Sequence, residues 1–161
     1  MFEKLTYSGN LQQQYETLNK QLDSLLAGEE SLIANLANAS SLLSHFLDDV
    51  NWVGFYLVEN DQLVLGPFQG LPACVRIPIG RGVCGTAVEK EETILVPDVH
   101  QFPGHIACDA ASRSEIVIPV RHKGTIVAIL DIDSPLISRF TEEDQALLES
   151  FVNVLEKHLA L

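Results

Sequence analysis

Positive charge is scarce in this chain. Its 161 residues hold 10 Lys and Arg against 22 Asp and Glu, a formal net charge of −12. So acidic a surface repels phosphate backbones and anionic lipid, which argues against nucleic acid and membrane as partners. Long apolar runs are lacking as well. The longest stretch without a formal charge, Ser31 to Leu47, is interrupted by serines, asparagines and His45 and makes a poor membrane span. The opening residues MFEKLTYSGNLQQQ carry no apolar run behind a basic start, so no signal peptide is read and a cytoplasmic location is expected. Cysteine is sparse, with three in the chain, whereas a secreted disulfide scaffold wants a denser, even set. Thiols in a reducing compartment stay reduced unless they work, so these three demand an explanation. No internal repeat, low-complexity tract or interdomain linker is evident. With 47% hydrophobic residues, the chain reads as one globular domain spanning 1–161.

What is present is a change of periodicity. Leu11, Tyr15, Leu18, Leu22, Leu25 and Leu26 recur at helical steps, predicting an amphipathic helix over 11–27 that stops near Gly28. Leu32, Ile33, Leu36, Leu43, Phe46 and Leu47 predict a second helix over 30–49. Trp52–Val58 is continuously apolar and reads as a central strand, and Gln62–Phe68 follows through the polar turn at 59–61. Val75, Ile77 and Ile79 alternate with Arg76 and Pro78, placing a third strand nearer an edge. A short helix over 83–90, a brief strand at 93–96 and a long irregular stretch over 97–113 come next. Loops of that length in a compact domain are usually functional. Glu115–Val120 and Thr125–Asp133 flank His122-Lys123-Gly124 as a hairpin, and Thr141 with Asp144 opens a last amphipathic helix. This order gives an α+β domain with a mainly antiparallel sheet of about six strands and the N- and C-terminal helices packed on one face.

The hairpin concentrates acid. Asp131 and Asp133 lie two apart among Ile129, Leu130 and Ile132, so alternation puts both carboxylates on one face. With a three-residue loop at 122–124, Glu115 lies opposite Asp131 and shares that face. A two-residue loop would turn Glu115 onto the wholly apolar face, at a desolvation cost. Three carboxyl groups on a half-apolar face cannot all ionise cheaply, so at least one is expected to hold a proton near neutral pH. Such a group can donate to a leaving oxygen, and the cluster can bind a cationic ligand. The bland reading is a solvated edge paired with Arg113 or Arg121.

Cys74, Cys84 and Cys108 are too widely spaced for a common zinc knuckle, even with His105 as a fourth ligand, so no metal is expected. Cys108 sits in the long loop between His105 and Asp109, close in sequence to Glu115, where a thiol would meet a proton donor. Cys84 lies at the start of the short helix, where the dipole favours a thiolate. Residues 80–85 fit G-x-G-x-x-G, but a dinucleotide fold needs more parallel strands than this chain supplies. The glycines instead permit a tight strand-to-helix turn, whose N–H groups could hold a small anion.

Taken together, NWVGFYL at 51–57, LGPFQG at 65–70, ACVRIPIGRGVCGTA at 73–87, VPDVHQFPGHIACDAASRSEIVIPV at 96–120 and LDIDSP at 130–135 resemble the free methionine-(R)-sulfoxide reductases, a family of stand-alone GAF domains. The resemblance implies Cys108 as nucleophile, Cys74 as resolving cysteine and Cys84 as a third thiol that could resolve instead. It implies Glu115, Asp131 and Asp133 as the carboxylates that hold the sulfoxide, and Trp52 and Tyr56 as the aromatic wall around the methylthio end. It implies free methionine-(R)-sulfoxide as substrate, no bound cofactor, thioredoxin as external reductant and a homodimer. The alternative from another class is a non-catalytic GAF module that senses a small ligand or redox state. A lone sensor without an output domain is the less economical reading.

Overall fold

The computed structural model describes residues 2–106 and 109–161. Its elements in chain order are α1 (Leu11–Leu26), α2 (Leu32–Phe46), β1 (Trp52–Glu59), β2 (Gln62–Gln69), β3 (Arg76–Pro78), α3 (Gly82–Lys90), β4 (Ile94–Val96), a 3-10 turn at Val99–Gln101, β5 (Ser114–His122), β6 (Thr125–Ser134) and α4 (Glu142–Glu156). Helix starts follow local chemistry. The Asn10 side chain accepts from the Gln13 N–H while Gln13 reaches back to the Asn10 N–H, and Thr141 and Asp144 form the same reciprocal box. The second helix is shorter than its apolar pattern predicts. It ends at Phe46 because Leu47 is extended and Asp49 turns the chain into β1 at φ 57°.

The strands form one sheet in the order β3-β2-β1-β6-β5-β4, with every neighbouring pair antiparallel. The continuously apolar β1 is central, as its composition requires, and Pro78 lies on edge strand β3, where its missing N–H costs no ladder bond. α1, α2 and α4 cover one face of the sheet. Their core joins Tyr15, Leu18, Leu22, Leu36, Leu43, Phe151 and Leu155 to Val53, Phe55, Ile116, Ile118, Leu130 and Ile132. The other face carries a smaller core of Trp52, Tyr56, Leu63, Val83, Cys84, Val117 and Ile129, with α3 lying over it.

The hairpin register corrects one expectation. The loop holds two residues, since His122 pairs with Thr125, and a bulge between Val120 and Arg121 shifts the ladder further on. Glu115 therefore lies opposite Asp133 rather than Asp131, and Val117 faces Asp131. The bulge restores the parity that a two-residue loop alone would have broken, so the acids still share a face. Burying an unpartnered carboxyl in the larger core would cost far more than one bulge.

Candidate active site

β5 and β6 carry Glu115, Asp131 and Asp133 toward the smaller core, beneath α3. Glu115 and Asp131 are each 6% exposed. The N-terminal turn of α3 places Cys84 above them. Its Sγ lies 3.4 Å from Asp131 Oδ2 and 4.0 Å from Glu115 Oε1. From the loop before β5, His105 brings Nε2 to 3.8 Å from Glu115 Oε2. These side chains line a partly open cavity of about 40 Å³, together with Trp52, Tyr56 and Asp133. That is room for a few water molecules.

The electrostatics follow from burial. Burial and the charges of Asp131 and Asp133 push the Glu115 carboxyl well above its ordinary range. Burial, then Asp131 and Asp109, do the same to Asp133. Burial raises Asp131 too, but hydrogen bonds from Glu115, Cys84 and Asp133 pull it back down. Asp131 is thus the most readily ionised of the trio, while Glu115 and Asp133 keep their protons to higher pH. Cys84 departs from the helix-dipole expectation. Burial, then the negative field of Asp131, Glu115 and Asp133, pushes its thiol well up, so it is a protonated donor to Asp131 rather than a thiolate. The dipole of one short helix is too weak to offset a buried anion in contact.

Trp52 and Tyr56 form one wall, with ring centroids 6.0 Å apart, and Phe68 stacks behind Trp52 at 5.1 Å. Trp52 Nε1 donates to the Leu71 carbonyl, and the Tyr56 hydroxyl donates to the Cys74 carbonyl at 2.8 Å. Gly54 between them leaves no room for a methyl group, since a Cβ there would meet Phe68 Cβ at 2.3 Å and the Trp52 ring at 2.8 Å. Cys74 is half-buried beside this wall and is engaged with a partner. Cys108 lies outside the described residues. Asn51 is a site-side residue that spacing did not flag. Its Nδ2 donates to Asp109 Oδ2 at 2.9 Å and to Ser112 Oγ at 3.2 Å, tying the loop to the start of β1. Its place one residue before the apolar strand was the available signal. The glycine-rich turn takes the tight form expected: Gly80 and Gly82 have φ of 87° and 62°, and Gly85 packs against the Pro78 carbonyl.

The GAF domain family matches residues 15–159, and the fold and site just described are of that class: the chain is a GAF domain. Over 146 residues it is 58% identical to the free methionine-R-sulfoxide reductase of Escherichia coli, covering 91% of this chain and 88% of that one. The reduced form of fRMsr from Staphylococcus aureus superposes with a TM-score of 0.89 at 53% identity, covering 97% of this chain and 99% of that chain. The free methionine-R-sulfoxide reductase of Neisseria meningitidis, solved with its substrate, gives a TM-score of 0.90 at 44% identity over 96% and 93% of the two chains. Within the GAF domains, this chain belongs to the free methionine-R-sulfoxide reductase family. Among the described residues, no helix is long and apolar enough to cross a membrane.

Proposed function

We propose that this protein, acting as a single GAF domain over 1–161, reduces free L-methionine-(R)-S-oxide to L-methionine by thiol chemistry. The observation that carries the reading is a carboxyl trio, Glu115 and Asp131 buried and Asp133 half-buried, lining a cavity walled by Trp52 and Tyr56. Sulfoxide oxygen is a poor leaving group until it is protonated. A protonated carboxyl, Glu115 or Asp133, donates that proton while anionic Asp131 and the aromatic rings hold the sulfur end. The Cys108 thiolate attacks sulfur, two electrons pass to the substrate, methionine leaves and Cys108 becomes a sulfenic acid. The Cys74 thiol then condenses with it, giving a disulfide and water. A thioredoxin dithiol reduces that disulfide, so no bound cofactor or metal is required. The buried, protonated state of Cys84 favours Cys74 over Cys84 as resolver.

The small volume of the cavity supports selection of a free amino acid over a peptide. A cytoplasmic, homodimeric enzyme completes the reading. The test is methionine release from both sulfoxide epimers, free and peptide-bound, with dithiothreitol as reductant. Turnover is expected for the free R epimer alone, and none in Cys108→Ser. Cys74→Ser is expected to give one turnover and then stall with thioredoxin. A folded, reduced protein with no turnover would return the chain to the non-catalytic sensor reading.

A further inference from the structure

The floor of the cavity suits a metal ion. Cys84 offers Sγ, and Glu115 and Asp131 each offer a carboxylate oxygen. These three atoms lie within 4.8 Å of one another, and all three residues are buried. Around tetrahedral zinc, with Zn–S near 2.3 Å and Zn–O near 2.0–2.2 Å, sulfur and oxygen ligands stand about 3.6 Å apart. The separations here are 3.4 Å from Cys84 Sγ to Asp131 Oδ2 and 4.0 Å to Glu115 Oε1.

A second observation points to a ligand. Asp131 is 6% exposed and lines the cavity, yet among the described residues no N–H, hydroxyl or thiol donates to its Oδ1, which leaves only the neighbouring acids to share a proton with it. Nearly all buried polar atoms are satisfied by donors, so a buried carboxylate oxygen whose only company is other acids is a place for a cation. Cys84 is a free cysteine and available to it. One sulfur among oxygen donors disfavours magnesium and calcium and favours zinc-like ions.

We propose that Cys84, Glu115 and Asp131 form a binding site for a divalent transition-metal ion of the zinc type, with the fourth coordination position left to water. Binding releases the thiol proton and any carboxyl proton to solvent, with no change in oxidation state. The ion is not a cofactor. Seated there it occupies the cavity, so zinc competes with methionine sulfoxide; that consequence alone rests on the reductase reading.

Cobalt is the probe. The Cys74→Ser/Cys108→Ser double variant, reduced with a thiol-free phosphine, leaves Cys84 as its one thiol. Cobalt is expected to give a near-ultraviolet thiolate-to-cobalt charge-transfer band that zinc displaces. Adding Cys84→Ser should abolish the band, and Asp131→Asn should weaken cobalt affinity about tenfold or more. No band, or a band that survives Cys84→Ser, overturns the site. X-ray absorption of zinc bound to the unsubstituted, reduced chain removes any dependence on variants. One sulfur among oxygen or nitrogen neighbours is expected, and two or more sulfurs overturn it. Sulfoxide turnover by the metal-free protein judges the reductase reading separately.

Discussion

Asp133 faces Glu115 directly across the β5–β6 ladder, and Asp131 stands two residues further along the same face. Their protons are therefore shared property: ionising one raises the cost of ionising the next. Glu115→Gln keeps the shape and a hydrogen-bonding end but removes the donatable proton. Sulfoxide reduction should slow by about 10²-fold or more with KM nearly unchanged, read by single-turnover kinetics. An unchanged rate would assign the proton to Asp133. In the parent protein, the rate of this step should fall as pH rises through the raised range of these carboxyls. That the three acids meet was legible in the sequence, because strand alternation is a matter of parity. Which acid faces which was not, because the bulge after Val120 leaves no mark on hydropathy. The state of the Cys84 thiol was not legible either. Its helix position shows in sequence, but its burial and its contact with Asp131 depend on three separate elements.

α3 is held by contact rather than by capping, since Arg81 supplies no side-chain cap. A Cβ on Gly85 would come to 2.4 Å from the Pro78 carbonyl and 3.0 Å from the Gly80 N. Both are backbone atoms and cannot swing away. Gly85→Ala should therefore lift the whole helix, separate Cys84 from Asp131 and cost about 1–3 kcal/mol. Denaturant unfolding measures the loss, and a stability equal to the parent's would mean that the helix does not bear on the β3 turn. The glycine pattern over 80–85 announced a tight turn in the sequence, and the rejection of a dinucleotide loop holds with it, since the sheet is antiparallel throughout. The end of α2 was not legible. The apolar pattern runs on through Leu47, but the chain is already extended there and turns left-handed at Asp49.

At the scale of the molecule, burying protonated acids sets the pH dependence of stability. Glu115 and Asp133 hold protons in the folded state over a range where the unfolded chain has released them. The folded state then binds more protons, so stability falls as pH rises from the ordinary carboxylate range toward the raised folded values. The net charge of −12 adds repulsion in the same direction. Tm should be higher near pH 5.5 than near pH 8, and Glu115→Gln should flatten the slope and raise Tm at pH 8. Each kcal/mol is worth about 2–4 °C for a domain of this size. A slope unchanged by that substitution would leave general repulsion as the whole cause. The gross architecture was legible because the helices and strands differ in period and a continuously apolar β1 takes a central place; proline alone did not mark an edge, since β2 and β5 carry Pro67 and Pro119 inside the sheet. The aromatic wall has a practical consequence. Trp52 is the chain's one tryptophan. Its ring lies between Tyr56 and Phe68, and its indole N–H is fixed to Leu71, three residues before Cys74. Emission from this protein is therefore a single-site optical signal: whatever enters the cavity, or shifts the segment bearing Cys74, is read by one fluorophore with no label attached.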